Sequence, residues 1–269
     1  MARGTDGGGL GGSRRSTTDT RRRRAIPAIA LGAMSLGVAG LGVMLPAVSD
    51  ACHPVPAASG PSAGHIADAI APGSDVLIVG DSYTTGRGSS DNVHGWAQDI
   101  AAEREWNATI DGIPGTGYVN TNRGRAGRTL YVSRIEQKAA TTPDLVIVQG
   151  SQNDWLTDPD SLQKAVERTL RQAEAQWPNA VVVAVGPSAP QPRAESTTGI
   201  NAAVSAGAHA VGVPYIDAIA GRWFTSVNSR GFAAPDQQHL NDAGYRYLAA
   251  KVSSALDDLA KAPTVEQCR

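Results

Sequence analysis

The sequence predicts an α/β fold, a parallel sheet sandwiched by helices. Residues 76–79, 145–148 and 180–185 are unbroken apolar runs dominated by Val, Leu, Ile and Ala. Strands buried on both faces read this way, and such strands belong to parallel sheets. Segments with helical spacing of apolar residues lie between and after them. The clearest is 159–176, where Leu162, Val166, Leu170 and Ala173 share one face with charges opposite. Strand and helix thus alternate, the order expected when helices cross over a parallel sheet. There is no internal repeat and no second apolar set, so residues 74–262 read as one domain.

The chain ahead of that domain differs in kind. The first two dozen of the 269 residues are rich in Gly, Ser, Thr and Arg, with Arg14, Arg15, Arg21, Arg22, Arg23 and Arg24 crowded together. Such a composition cannot form a core. Residues 25–48 follow without a charge, and small residues cluster around Ala47, Val48 and Ser49. A basic start, an apolar middle and a small-residue end resemble an export signal over residues 1–49. Paired arginines before a Gly-rich apolar stretch resemble the twin-arginine type. The stretch is also long enough for an uncleaved membrane anchor, the one membrane association expected. Ser49-Asp50-Ala51 ahead of Cys52 is a poor lipoprotein site. The expected location is therefore secreted or attached to the cell envelope.

Net charge is -1, with Lys+Arg 24 against Asp+Glu 25, so no basic excess suggests nucleic acid. Without the early arginines the remainder is acidic. The two cysteines, Cys52 and Cys268, flank the domain. In an oxidising compartment an even count predicts a Cys52–Cys268 bridge, the alternative being two free thiols. The loop-entropy model gives such a bridge at most about 4–5 kcal/mol. Residues 50–73, rich in Pro, Ala, Ser and Gly, read as a linker, and 263–269 as a tail.

Within the domain, Val76-Leu77-Ile78-Val79 stops at Gly80, which lets the backbone turn sharply. Ser82 then falls just past the carboxyl end of a central strand, where ligands bind in open α/β sheets. Gly-Asp-Ser is also ordinary turn chemistry. Residues 94–105 have helical spacing through Trp96, Ile100 and Ala101. A short strand follows at 107–110, then a Gly-rich loop at 111–118 and a helix at 130–140. The strand at 145–148 runs into Gln149-Gly150-Ser151-Gln152-Asn153-Asp154. Pro178 ends the helix at 159–176. After the strand at 180–185 come a Pro-rich loop, a helix near 195–210 and a short strand at Tyr215-Ile216-Asp217. Residues 218–240 look irregular, and 242–259 form a last amphipathic helix. Two pattern matches lack the setting they require. Gly60 to Gly64 fits G-x-S-x-G and Gly7 to Gly12 fits G-x-G-x-x-G, but neither follows a strand or opens a helix.

Asp236 and His239, three apart and just before the last helix, can face one side of a short turn. A nucleophilic serine needs a base for its proton. His supplies one near neutral pH, and a carboxylate fixes its tautomer and stabilises the cation. Ser82, Asp236 and His239 can therefore form a triad. Two other readings of Asp-x-x-His exist: half a metal site, for which no further ligands stand out, and a helix cap beside a surface histidine.

Taken together, Gly80-Asp81-Ser82, the loop around Gly115, Asn153-Asp154 and Asp236-x-x-His239 resemble, in that order, the four sequence blocks of the SGNH (GDSL-type) hydrolases. The resemblance covers about residues 75–260. It implies a three-layer flavodoxin-like α/β/α fold with a parallel five-stranded sheet. It also implies ester hydrolysis through an acyl-serine intermediate, with no metal or organic cofactor. By position it makes Ser82 the nucleophile, His239 the general base and Asp236 its orienting carboxylate. The oxyanion hole would be the N–H groups of Ser82 and Gly115 and the side-chain amide of Asn153, with Gly117 a rival to Gly115. Two positions depart or vary. Ser151 stands where the family usually has Gly, two before Asn153, and Gln238 precedes His239 where the family is diverse.

The implied partner is an ester substrate, an acylated polysaccharide, lipid or small ester, met by a monomer. Two alternatives stay open: an acyltransferase passing the same acyl group to a sugar hydroxyl, and a noncatalytic envelope-binding module. Tyr83, Tyr118, Trp155 and Trp223 lie near the motif loops and either contact substrate or cover the sheet. His53, His65, His94 and His209 read as surface groups.

Overall fold

The computed structural model describes residues 60–122 and 127–261. The export segment, the C-terminal tail and both cysteines of the expected bridge lie outside the described residues. Among the described residues five strands form one sheet: β1 (Asp75–Gly80), β2 (Asn107–Gly112), β3 (Leu145–Gln149), β4 (Val181–Val185) and β5 (Tyr215–Ile216). All pairs are parallel and the order is β2-β1-β3-β4-β5. In chain order the helices are α1 (Ala63–Ala69), α2 (Ser82–Thr85), α3 (Trp96–Glu103), α4 (Tyr131–Gln137), α5 (Pro159–Gln176), α6 (Arg193–Ser196), α7 (Thr198–Val211), α8 (Ser229–Phe232) and α9 (Asp242–Lys261).

The three layers follow from the period of two along each strand. Val76 and Ile78 of β1, with Leu145 and Ile147 of β3, face a layer holding Ile66 of α1, Trp96 and Ile100 of α3, and Leu248, Val252 and Leu256 of α9. Leu77, Val79, Val146 and Val148 point the other way, onto Ile135 of α4, Leu162, Val166 and Leu170 of α5, and Val204 of α7. Covering both faces is why these runs contain no polar residue until the strand ends. Each such side chain, moved fully from water, contributes roughly 1.5–3 kcal/mol. Helix α5 opens on Asp158, whose carboxylate accepts from the Ser161 N–H at 3.0 Å, with Pro159 in the first turn.

Several local expectations change. The stretch read as a linker, 50–73, contains α1. Ile66, Ala69 and Ile70 are buried, and the Trp106 indole donates to the Ile70 carbonyl at 3.1 Å. A seven-residue helix with one isoleucine, Ile66, and a second just after it, Ile70, has too little periodicity to stand out in a stretch rich in Ala, Ser, Gly and Pro. The helix expected near 195–210 is two, α6 and α7, which meet at Thr197. The irregular segment 218–240 includes the single turn α8. Strand β2 runs to Gly112 because it stays in register with β1 from Asp75↔Asn107 to Gly80↔Gly112. Beyond its end, Arg134 of α4 is almost wholly buried. It pairs with Asp111 at 2.9 Å and donates to the Gly80 carbonyl at 2.9 Å, tying β1, β2 and α4 together at the carboxyl edge of the sheet.

Candidate active site

Ser82 is placed by a close approach of backbone and side chain. A Cβ on Gly80 would lie 2.0 Å from Thr84 Oγ1, so only glycine lets α2 fold back onto the end of β1. Thr84 Oγ1 then donates to Gln149 Oε1 at 2.8 Å, fixing α2 to β3. Asp81 caps α2, its Oδ1 accepting from the Tyr83 N–H at 2.9 Å. Its Oδ2 accepts from Asn153 Nδ2 at 3.3 Å and from the Gln152 N–H at 3.4 Å. Asp81 is fully buried, and burial pushes its pKa up to about 6 against the pull of the backbone N–H of Tyr83. It holds the turn and links it to the loop after β3. Ser82 itself is 6% exposed.

His239 arrives from the turn before α9. Asp236 Oδ1 accepts from the N–H groups of Gln238 and His239, both at 2.9 Å, which closes the turn. Asp236 Oδ2 lies 2.6 Å from His239 Nδ1, and His239 Nε2 lies 2.9 Å from Ser82 Oγ. An ionised carboxylate can only accept, so Nδ1 carries the proton and Nε2 is left to accept from the serine hydroxyl. The Tyr83 ring packs against the imidazole, centroids 5.4 Å apart, and its hydroxyl donates to the Gln238 carbonyl. Partial burial pushes Asp236 upward. The hydrogen bonds from His239 and Gln238 outweigh it and hold the carboxyl at about 2. Burial lowers His239 below its ordinary value, against the upward pull of Asp236. At neutral pH the pair is therefore a neutral imidazole beside a carboxylate.

The third wall is the loop after β2, facing the loop after β3. Gly115 has φ +76°, a left-handed conformation that favours glycine. Among the described residues neither its N–H nor that of Ser82 has a hydrogen-bond acceptor. The Gly117 N–H, by contrast, donates to the Asn120 carbonyl at 2.9 Å. That separates the two rival glycines. Asn153 Nδ2 donates to the Thr116 carbonyl at 2.9 Å, which holds the amide beside the Gly115 loop. Ser151 answers its departure from the family pattern, since its Oγ accepts from the Asn153 N–H at 3.0 Å. Asp154 accepts from the N–H groups of Tyr118, Val119 and Asn120 at 2.9, 3.1 and 2.8 Å. Ser82, Gly115, Asn153, Asp236 and His239 all line one pocket of about 360 Å³.

The sequence profile of the GDSL-like lipase/acylhydrolase family matches residues 78–247, a span that contains all five. The chain belongs to that family. It is an ester hydrolase of the SGNH (GDSL) type, with the flavodoxin-like fold of that group. No curated protein matches the chain significantly. Solved structures do. An inhibitor-bound aryl esterase from M. smegmatis is 18% identical with a TM-score of 0.55, covering 69% of this chain and 99% of that one. A carbohydrate esterase family 2 enzyme from Corynascus thermopiles (Myceliophthora fergusii) is 16% identical with a TM-score of 0.55, covering 70% and 67%. A putative lipolytic protein of the G-D-S-L family from Desulfitobacterium hafniense is 15% identical with a TM-score of 0.54, covering 67% and 98%. At these identities the likeness shows the shared fold.

The family pattern does not mark every residue of the pocket. Arg87, Pro114, Gln152 and Arg193 line it as well, beside Tyr83 and Gln238. Arg193 comes from α6, in the loop after β4, where no motif points to it. Gln152 is adjacent to Asn153, and that adjacency was the one available signal. Of the four aromatic candidates, Tyr83 forms pocket wall, Tyr118 and Trp223 are buried, and Trp155 is 66% exposed. His65, His94 and His209 are exposed, and His53 lies outside the described residues.

Proposed function

We propose that this protein is an exported serine esterase that works through an acyl-serine intermediate. The observation that carries the reading is the hydrogen-bonded chain Asp236–His239–Ser82, opening onto a pocket shared with Gly115 and Asn153. His239 Nε2 takes the Ser82 proton as Oγ attacks the ester carbonyl. The developing oxyanion is met by the N–H groups of Ser82 and Gly115 and by Asn153 Nδ2. Asn153 Nδ2 gives one hydrogen to the Thr116 carbonyl at 2.9 Å and the other to Asp81 Oδ2 at 3.3 Å, and the longer of the two bonds is the one exchanged for the oxyanion. The imidazolium passes its proton to the leaving alcohol, and the C–O bond breaks. Water then attacks the acyl-serine as His239 takes its proton. Collapse releases the carboxylic acid and restores Ser82.

The basic and apolar segments of residues 1–49 support export. The likeness to carbohydrate esterases supports an acyl group on envelope or external polysaccharide as the substrate. The test is a fluorophosphonate probe. Wild-type protein is expected to label at Ser82 and the Ser82→Ala variant not to label. Absence of wild-type labelling, or equal labelling of both, would remove the enzyme mechanism. Product analysis with a sugar acceptor present separates hydrolysis from acyl transfer.

A further inference from the structure

The pocket holds positive charge that the ester chemistry does not use. Arg87 and Arg193 both line it, and among the described residues neither guanidinium pairs with a carboxylate. Arg193 Nη1 has a neutral partner, Gln238 Oε1 at 3.3 Å, while its Nε is buried with no hydrogen-bond partner. The carboxylate of the same pocket, Asp236, is committed through both oxygens to His239 and to the backbone of its own turn. Gln152 lines the pocket too. It is 2% exposed, and neither atom of its amide has a hydrogen-bond partner.

Buried donors without acceptors cost free energy. A guanidinium is best matched by an oxyacid anion, which accepts two parallel N–H bonds and cancels its charge. A neutral ester could accept a hydrogen bond but would leave the charge uncancelled. We propose that the pocket is built for an ester bearing an anionic oxyacid group, carboxylate or phosphate, close to the scissile bond, bound by Arg193 with Arg87 and Gln152 beside it. The proposal rests on the esterase reading of Ser82. It narrows the substrate class to acidic esters, such as acyl groups on an acidic sugar or on a phosphate-bearing alcohol.

Two matched pairs of esters test it and separate the sources of the anion. One pair carries a carboxylate on the acyl side, mono-nitrophenyl glutarate against nitrophenyl butyrate. The other carries a phosphate on the alcohol side, acetylated glycerophosphate against monoacetylglycerol. The reading is the ratio of kcat/KM, charged over neutral. In wild type it is expected to exceed about tenfold in at least one pair, the size of one charge-assisted hydrogen bond. It should fall toward unity near 1 M salt, where the Debye length is about 3 Å. In Arg193→Gln it should fall at low salt as well, with Arg193→Lys between. A wild-type ratio near unity in both pairs overturns the proposal without any variant. A ratio unchanged in both Arg193→Gln and Arg87→Gln also overturns it. Turnover of neutral esters without charge preference sinks this inference alone. No turnover and no Ser82 labelling sinks the esterase reading with it.

Discussion

At the scale of single residues, His239 is held between opposing effects. Burial favours the neutral ring and Asp236 favours the cation, and burial is the larger. In the proposed mechanism the active form is the neutral base, so kcat/KM should rise with pH through the His239 pKa and be flat above it. Because that pKa lies below 6.5, the acid limb should have its midpoint below 6.5, measured as a pH–rate profile under kcat/KM conditions. A midpoint above 6.5 would contradict this balance. Ser82→Ala and His239→Ala should each lower kcat by on the order of 10⁴–10⁶, as in a comparable triad. Asn153→Ala should slow acyl transfer about 10²–10³-fold while the protein stays folded, checked by pre-steady-state release of nitrophenol and by circular dichroism. An unchanged rate would take the amide out of the oxyanion hole.

At the scale of elements, the loop after β2 depends on a carboxylate from the loop after β3. Asp154 is 1% exposed and accepts from three successive N–H groups, of Tyr118, Val119 and Asn120. Those donors hold the segment that carries Gly115. Asp154→Ala strips them of their acceptor, at roughly 1–3 kcal/mol for each that water does not reach. The expected result is destabilisation of at least about 2 kcal/mol in urea unfolding, with activity falling at the same time. A stable variant of normal activity would show that the loop is set by other contacts. The turn at Asp236 is different in kind. Its carboxylate closes on residues two and three positions ahead, so it forms locally. That is why spacing alone could suggest it.

At the scale of the molecule, the first and last described helices, α1 and α9, pack together on one face of the sheet. Cys52 precedes α1 and Cys268 follows α9 by short stretches of chain. The cysteine count predicts a Cys52–Cys268 bridge. Nonreducing intact mass should come out two hydrogens lighter than the dithiol, and reduction should lower the unfolding midpoint. Two free thiols in protein purified from an oxidising compartment would refute it.

The layering and the class of the fold were legible in the sequence, because burial on both faces demands unbroken apolar runs and each run is a local property. So was the character of the four motif stretches, since turn chemistry and an Asp-x-x-His spacing act over a few residues. Helix α1 was not legible, because its apolar side chains gain meaning only against α9. Nor was the difference between Gly115 and Gly117, since only the fold shows the Gly117 N–H donating to the Asn120 carbonyl. The meeting of Ser82 with His239, and the arrival of Arg193 and Gln152 in the same pocket, belong to tertiary structure. They depend on loops from different strands ending at one edge of the sheet. A sequence records what each loop carries, while the distance between loops is set by how the strands pair and the helices pack.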